Sequence, residues 1–336
     1  MKRSVRISVS DLQSFHACPR SWYWYRKYGG PKLPEIPLFL GSGVHAGLEG
    51  YYRNNRSAEK GLEAFEVWQT RSVRSIAEHL GSYWTISRDP FENAVNLARK
   101  MLANFFEYDE VEKPELLQGE IVSVETKLEH EILPGVTIVM KSDLVLRDGR
   151  GHLWLVDHKT YSREPDAQAL DIDDQLTAYA YLQTVLTDEM PYGILHNVLF
   201  KAVPEPPAML TRGGFSKAKS QATTYAMYMK ALEESGLDQE PYQDILMTLK
   251  ASGWSTYFQQ FSTMRNFEEL LSFETRLMAK VFDILRALQA PDVWAFPNPN
   301  PFQCKSCPFR TACKSANDGG DFEAILKQNF TTKSLY

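Results

Sequence analysis

The sequence predicts an α/β fold in which a mixed central sheet is flanked by helices. Two short apolar runs, 136–140 and 153–156, are rich in β-forming residues, and the Asp-Gly pair at 148–149 marks a hairpin turn between them. Before and after this hairpin, apolar residues recur at helical spacing. A hairpin followed by a helix and a further strand, wrapped in helices, is typical of an α/β core with a helical cap.

The predicted elements fall into five regions along the chain. These are an N-terminal helix at 1–40, a helical region at 41–117, the strand-containing core at 118–205, a helical insertion at 206–300 and a cysteine-rich end at 301–336. A capping box from Ser10 to Gln13 is expected to open the first helix. The tail after Lys314 is expected to be loosely held.

The most informative residues lie in the predicted hairpin. Asp143 stands in the first strand, and Asp157 and Lys159 close the second. Carboxylates inside apolar strands need a partner, because an unpaired buried charge costs on the order of several kcal/mol. Two carboxylates beside one ammonium group recur where Mg²⁺ is held against a phosphodiester. The simpler alternative is a surface ion pair between Asp157 and Lys159.

Two further segments add polar side chains. An acidic first turn at Asp173 begins a helix on which Gln175 and Tyr179, four residues apart, share a face. An amide and a phenol placed in this way can hydrogen-bond a phosphate or brace a lysine. Upstream, the glycine-rich run 41–47 predicts a helix with His45 in its first turn, where a neutral imidazole can serve as a third metal ligand. No suitable strand precedes these glycines, which excludes a dinucleotide-binding loop.

Four cysteines form the second informative group. They are Cys18, Cys304, Cys307 and Cys313, and the last three follow the spacing C-x2-C-x5-C. No signal-peptide pattern opens the sequence, which favours metal ligation over disulfides. Four thiolates suit either a tetrahedral Zn²⁺ ion or a [4Fe–4S] cluster, and the residues alone leave both open. Because ligands come from both ends of the chain, the bound group would join the termini.

The order of these motifs resembles the RecB-like, iron–sulfur branch of the PD-(D/E)XK nuclease superfamily. That branch includes AddB-type nuclease domains and CRISPR-associated RecB-like exonucleases. Residues 8–25 resemble its opening, in which a serine-led helix delivers the first cysteine and aromatic residues follow. The family's His, Asp, D/E-x-K and Q-x-x-x-Y motifs are matched in order by His45, Asp143, Asp157, Lys159, Gln175 and Tyr179. Lys141 replaces a glycine that is frequent in the family, which removes no ligand.

This resemblance implies a restriction-endonuclease-like fold and metal-dependent hydrolysis of DNA phosphodiesters, by an exonuclease acting on single strands or DNA ends. The implied ligands of Mg²⁺ or Mn²⁺ are His45, Asp143, Asp157 and the main-chain carbonyl of His158. Lys159 would orient and help to deprotonate the attacking water or screen charge, and Gln175 and Tyr179 would position it and the scissile phosphate. Glu125, in a neighbouring strand, is expected to be an outer acidic group. The four cysteines would hold a [4Fe–4S] cluster, with structural Zn²⁺ as the alternative.

Composition sets further limits. With 336 residues, of which 43% are hydrophobic, the chain has core enough for one elaborated domain or two closely packed ones. It contains no apolar run of membrane-spanning length and no P-loop motif, so a helicase or recombination protein acting with it would be a separate chain. The expected location is the cytoplasm of a bacterial or phage-infected cell, and the expected partner is DNA rather than a membrane. Oligomerisation is left open.

The net charge of −5 argues against extensive coating of DNA but allows a local basic groove. Basic residues interleaved with aromatic ones near the N-terminus, and a second basic patch after residue 211, are candidates for DNA contacts. They are Arg20, Arg26, Lys27, Arg212, Lys217 and Lys219. One alternative to an active nuclease is a non-catalytic iron–sulfur or zinc DNA-binding subunit of a repair or recombination complex, marked by a lost metal ligand. Another is a zinc-stapled nucleic-acid module in which the D-x-K motif is incidental. Every motif position is filled here, which favours the nuclease.

Overall fold

The computed structural model describes residues 4–331. Its strands are β1 (Val5–Ser8), β2 (Glu120–Leu133), β3 (Val136–Arg147), β4 (Leu153–Tyr161), β5 (Gly193–Phe200) and β6 (Phe258–Thr263). The helices before the sheet core are α1 (Val9–Ala17), α2 (Pro19–Tyr28), α3 (Ile36–Arg53), α4 (Ala58–Leu80), α5 (Trp84–Ser87) and α6 (Asp89–Val111). The later helices are α7 (Ala167–Asp171), α8 (Asp174–Thr187), α9 (Tyr225–Ser235), α10 (Gln243–Ser252), α11 (Phe267–Gln289), α12 (Pro291–Trp294), α13 (Pro301–Lys305), α14 (Arg310–Asn317) and α15 (Phe322–Asn329). Within this described part, no helix combines the length and apolar character needed to cross a membrane.

The strands form one mixed sheet, as the sequence predicts. β1 and β3 are parallel, β3 and β4 are antiparallel, β4 and β5 are parallel, and β5 and β6 are antiparallel. β2 runs antiparallel to β3 along almost its whole length and therefore occupies one edge of that strand. The predicted hairpin is confirmed, with Arg147 opposite Leu153 at the start of its turn.

The other edge of β3 changes partner halfway along. Residues 136–139 pair with β1, whereas residues 144–147 pair with β4. Among the described strands, none pairs with residues 140–143 on that edge. The sheet therefore has a local opening at the middle of β3, and Asp143 lies in it.

Separate apolar cores cover the two faces of the sheet. Helices α3, α4 and α6 supply buried residues such as Phe105 to one core, and α1, α8 and α11 supply residues such as Leu277 to the other. Successive strand residues point to opposite faces, so Leu144 joins the first core and Val145 the second. Helices thus flank the sheet on both sides, which confirms the predicted α/β architecture.

Helix α3 differs from its prediction. It begins at Ile36, with Pro37 in its first turn, so His45 lies in the middle of the helix rather than in its first turn. The glycines that suggested a helix start serve close packing instead. A Cβ atom on Gly43 would lie 2.6 Å from the Trp68 ring, and one on Gly47 would lie 2.3 Å from Leu102 Cδ1. Gly50, farther along the helix, is packed as closely, since its added Cβ would lie 2.4 Å from Ala64 Cβ.

The N-terminal segment also departs from the prediction. Residues 5–8 form strand β1, which periodicity does not reveal because the strand is so short. Helix α1 starts two residues earlier than expected: Ser8 is its N-cap and forms a reciprocal capping box with Asp11, rather than Ser10 with Gln13.

The C-terminal half contains two further corrections. The region 206–300 was expected to be helical, but it includes the edge strand β6. Helices α9 and α10 of this region share a small core around Tyr228. The tail after Lys314 is not loosely held over its described part. It forms α14 and α15 and packs Leu326 and Phe330 against α2, so the two ends of the chain lie together. Residues 332–336 lie outside the described part.

Replacing Gly50 tests this packing of α3. Gly50→Ala gains up to about 1 kcal/mol in helix propensity. The added methyl group would also lie 2.7 Å from the Lys60 carbonyl oxygen, which belongs to main chain and cannot easily move. We expect a net destabilisation of about 1–3 kcal/mol in urea unfolding. Gly149→Ala is the control, because no atom lies within 4 Å of its added Cβ. Equal or higher stability of Gly50→Ala would contradict the described helix contact.

Candidate functional site

The opening in the sheet is bridged by a side chain. The Asp143 Oδ2 atom accepts a 2.8 Å hydrogen bond from the main-chain N–H of His158, just beyond the last pair of the β3–β4 ladder. This contact holds the Asp143 carboxylate against the strand that carries Asp157 and Lys159. The two predicted halves of the site are therefore brought together.

Three side chains converge on this opening with the chemistry of metal ligands. They are His45 from α3, Glu125 from β2 and Asp143 from β3, and one ligand atom of each lies within 4.8 Å of the other two. His45 Nδ1 is 3.7 Å from Asp143 Oδ1. Imidazole and carboxylate groups at this spacing suit a divalent cation such as Mn²⁺, and the carboxylates also suit Mg²⁺.

Glu125 was expected to be an outer acidic group, but it lies within the ligand group itself. Its φ of +53° is left-handed, which is rare for a non-glycine residue within a strand and costs on the order of 1–3 kcal/mol. No strand pattern announces this conformation, so the sequence could suggest Glu125 only as one acidic residue in a neighbouring strand. Lys141, also at the opening, forms an ion pair with it.

The pKa shifts of the three side chains in this ligand group favour binding of a cation. Burial and the neighbouring charge of Asp157 raise the pKa of Asp143 to about 7. Burial also raises the pKa of Glu125, although the hydrogen bond from Lys141 opposes the shift. For His45, burial and then the positive charge of Lys159 lower the pKa, which keeps its imidazole neutral and able to bind a metal.

Asp157 faces a different set of partners. Its Oδ1 atom accepts a 2.5 Å hydrogen bond from Lys159 Nζ, and its Oδ2 atom lies 3.0 Å from His196 Nδ1 in β5 without normal hydrogen-bond geometry. Burial opposes the ionisation of Asp157, but the charge of Lys159 and the nearby imidazole outweigh it and lower its pKa. The three-residue ligand group does not include Asp157, so its role as a metal ligand stays a prediction. Sequence reasoning missed His196, which carries no recognisable motif.

The side chain of His158 is buried against α3, and the centre of its ring lies 6.4 Å from that of His45 in the ligand group. Its ring stacks on Tyr52, and its Nδ1 atom lies 3.0 Å from Asn197 Nδ2. Gln260 donates in turn to Asn197 Oδ1 and accepts a hydrogen bond from Tyr108. Burial, and then the neighbouring His45, lower the pKa of His158 to about 3. This chain of polar groups across β4, β5 and β6 fixes the ring of the residue whose N–H holds Asp143.

The predicted pair on α8 is formed. Asp173 caps the helix, and Gln175 donates a 2.7 Å hydrogen bond to the Tyr179 hydroxyl group. Burial and the charge of Asp157 raise the pKa of Tyr179 to about 12, so the phenol stays protonated. The start of α8 is anchored by the buried Arg265, which donates hydrogen bonds to Thr177 and to main-chain carbonyls nearby.

A cavity of about 340 Å³ lies between the two ends of the chain, and all four cysteines line it. None of the four forms a disulfide. Several donors point at the sulfur atoms: the main-chain N–H of Asn298 lies 3.5 Å from Cys18 Sγ, and Arg20 Nη1 lies 3.6 Å from Cys313 Sγ. Burial raises the pKa of Cys307. The cavity therefore lies where the two ends of the chain meet. A group bound there would find sulfur ligands from both ends.

The first group of proposed DNA contacts has partners within the protein. Arg20 donates to Asn317 and packs over Trp24. Arg26 donates to Asp11 and to the Arg6 carbonyl, and Lys27 lies 3.8 Å from Glu323. Arg20 and Lys27 therefore link α2 to the C-terminal helices, whereas Arg26 links α2 to the N-terminal residues before it.

The second group lies on the insertion between β5 and β6, in the loop before α9. Arg212, Lys217 and Lys219 are all exposed, and Lys217 places its ammonium group 5.0 Å from the centre of the Tyr242 ring. The structure does not bring this loop into the cleft lined by the ligand group. Its part in DNA contact stays a prediction.

Comparisons with known proteins identify the family of this chain. A family model described as the PD-(D/E)XK nuclease superfamily matches residues 6–195. Among solved structures, the crystal structure of a presumed exonuclease from Eubacterium rectale is 14% identical, covers 72% of this chain and 81% of its own, and superimposes with a TM-score of 0.38. A superposition this loose adds no argument to the family match. No curated protein matches the sequence.

Metal binding by this site should depend on pH. Because the pKa of Asp143 is about 7, most Asp143 side chains of the metal-free protein are protonated at pH 6 and must lose that proton before the carboxylate binds a cation. We expect the affinity for Mn²⁺, measured by calorimetry, to fall about tenfold per pH unit below 7, with about one proton released. Asp143→Asn should abolish this dependence, and Asp292→Asn, on the exposed surface, should preserve it. An affinity that is constant between pH 5.5 and 7 would contradict the assignment.

Proposed function

Because the chain belongs to the PD-(D/E)XK nuclease superfamily, we propose that it is a metal-dependent deoxyribonuclease, acting as an exonuclease on single-stranded DNA or DNA ends. One observation carries the proposal. The three-residue ligand group of His45, Glu125 and Asp143 lines the same cleft as Lys159. A cation site beside a part-buried ammonium group can stabilise the negative charge that develops during hydrolysis of a phosphodiester.

The residues of the ligand group fit Mg²⁺ or Mn²⁺. They offer two carboxylates whose pKa values are raised by burial, together with a neutral imidazole, and such a set gains from a bound cation. We propose His45, Glu125 and Asp143 as ligands, with Asp157 and the His158 carbonyl as further candidates. A cation at this position lowers the pKa of water and offsets the negative charge that develops on the phosphate.

Lys159 acts as a charged hydrogen-bond donor in this proposal. Burial opposes its charge, but Asp157 and Asp143 outweigh burial and raise its pKa, so the ammonium group keeps its proton. Such a group orients water and stabilises negative charge, but it does not remove a proton. This narrows the expectation from the sequence, which also allowed Lys159 to assist deprotonation.

Gln175 and Tyr179 complete the proposed arrangement. Tyr179 keeps its proton at physiological pH and is therefore a donor toward a phosphate oxygen. The Gln175 amide fixes the orientation of that hydroxyl group through the bond between them. The buried Arg265 holds the first turn of α8, which keeps this pair at a fixed position relative to Asp157 and Lys159.

We propose further that the four cysteines bind a [4Fe–4S] cluster. A single Zn²⁺ ion with Zn–S distances of about 2.3 Å would bring its sulfur ligands within about 4 Å of one another. In the described structure, no three of the four sulfurs come within 4.8 Å of one another. The wider spacing and the cavity of about 340 Å³ support a larger group, which would be structural. We also propose that a separate helicase or recombination protein can act together with this chain.

Cleavage of DNA tests the proposed activity directly. The anaerobically purified protein should degrade end-labelled single-stranded DNA in the presence of Mn²⁺ or Mg²⁺. We expect Asp143→Asn and Lys159→Met each to lower the rate by about 10²–10³-fold, because each removes a preorganised charge from the cleft. The matched surface variant Asp292→Asn should cut at the rate of the unmodified protein.

A circular single strand of the same sequence separates the two modes of cleavage. An exonuclease leaves the circle intact while it degrades the linear strand, and cleavage of both would show endonuclease activity. If the protein is inert on single strands, duplexes and flaps with either metal, the proposed activity is wrong. Retained DNA binding would then favour the non-catalytic DNA-binding subunit.

The cysteine site has a separate test. The anaerobically purified protein should be brown, with an absorbance band at about 400 nm and about four iron atoms per chain. Cys307→Ser should lose most of this absorbance and lower the melting temperature, because the bound group joins both ends of the chain. Ser306→Ala changes the exposed neighbouring residue and should behave like the unmodified protein. A colourless protein that contains one zinc ion would contradict the cluster.

A further inference from the structure

The cleft that contains the ligand group extends beyond it. It has a volume of about 680 Å³, and its walls come from α3, α4 and the strands β2, β3 and β4. Three lysines, Lys141, Lys159 and Lys201, line it. They differ in how their charges are balanced, and that difference indicates a second binding point for the substrate.

Two of the three ammonium groups have a carboxylate partner. Lys141 is paired with Glu125 and Lys159 with Asp157. Within residues 4–331, the side chain of Lys201 has neither an ion pair nor a hydrogen bond, although it is part-buried. Burial alone lowers the pKa of Lys201 below its ordinary value. An ammonium group held partly out of water without a counter-charge is a ready site for an anion.

The position of Lys201 separates it from the cleavage chemistry. Lys159 lies opposite Val198 in the parallel β4–β5 pair, and the N–H of Lys201 binds the carbonyl group of Tyr161 at 2.7 Å. Lys201 is thus three residues farther along the strands than the level of Lys159, which corresponds to ~10 Å at ~3.3 Å per residue. Thr160 lies between these levels and also lines the cleft.

We propose that Lys201 binds a phosphate group of the DNA strand next to the one that is cleaved, and so sets the path of the strand along the cleft. The assignment rests on the proposed nuclease function. It explains why this lysine is the cleft cation without an acidic partner among the described residues: its counter-charge arrives with the substrate. Lys201 is therefore a binding residue, and the contact is independent of base sequence because every nucleotide carries the same phosphate.

The test is DNA binding without cleavage. Binding of a fluorescent oligo-dT strand is measured with Ca²⁺ in place of Mg²⁺, over a range of salt concentrations, and gels confirm that the strand stays intact. Loss of one phosphate contact should lower the slope of log K against log salt by about 0.7. We expect this for Lys201→Met, with affinity roughly fivefold weaker at low salt and an equal loss for oligo-dC. Lys201→Arg should restore the slope.

Lys230→Met is the matched control, because Lys230 is exposed on α9 and pairs only with Glu234. It should bind like the unmodified protein. A Lys201→Met variant with unchanged affinity and slope would overturn the proposal, as would a loss of affinity with the slope unchanged. Neither result bears on the nuclease itself, which the comparison of the unmodified protein with Asp143→Asn tests separately. A protein that binds through Lys201 but never cuts DNA would instead refute the proposed activity.

Discussion

One hydrogen bond, from the main-chain N–H of His158 to Asp143 Oδ2, joins the sheet to the candidate site. β3 exchanges β1 for β4 as its partner around this point, and the carboxylate takes the place that a carbonyl group would hold in a continued ladder. His45 from α3 approaches Asp143 at this point, and Glu125 approaches it from β2, which pairs with the opposite edge of β3. The candidate site therefore lies at an interruption of the sheet, which is bridged by Asp143, one of the proposed metal ligands.

The balance of charge around this interruption is uneven. Buried carboxylates destabilise a protein unless cations or hydrogen bonds offset them. The charge of Lys159 outweighs the effect of burial on Asp157, so the pKa of Asp157 falls. Lys141 offsets only part of the effect of burial on Glu125. For Asp143, burial and the charge of Asp157 outweigh the charge of Lys159 and the hydrogen bond from His158 N–H, so its pKa rises. Among the described residues, Asp143 thus has no ion pair with a lysine or an arginine, and the proposed divalent metal ion would supply that charge.

The sequence predicted those parts of the site that depend on local pattern. The hairpin with Asp143 and Asp157, the pair of Gln175 and Tyr179 and the meeting of the four cysteines follow from strand alternation, helical spacing and motif order. What it could not predict depends on contacts between distant segments. Glu125 reaches the ligand group through a left-handed backbone, and β6 becomes a strand only because β5 offers it an edge. DNA contact by the cations near Cys18 stays a prediction, and the sequence could not show that Arg26 has Asp11 as a partner within the protein.

The cysteine cavity and the ligand group are separate sites, but the fold joins them by a short path. Ser8 ends β1 and caps α1 together with Asp11, and Asp11 also accepts a hydrogen bond from Trp22 in α2, the helix that follows Cys18. β1 in turn pairs with β3 at residues 136–139, just before the opening at Asp143. Since β1 is only four residues long, its place beside β3 depends on the helices that follow it. A group that fixes α2 against the C-terminal helices therefore also steadies the strand edge from which Asp143 projects.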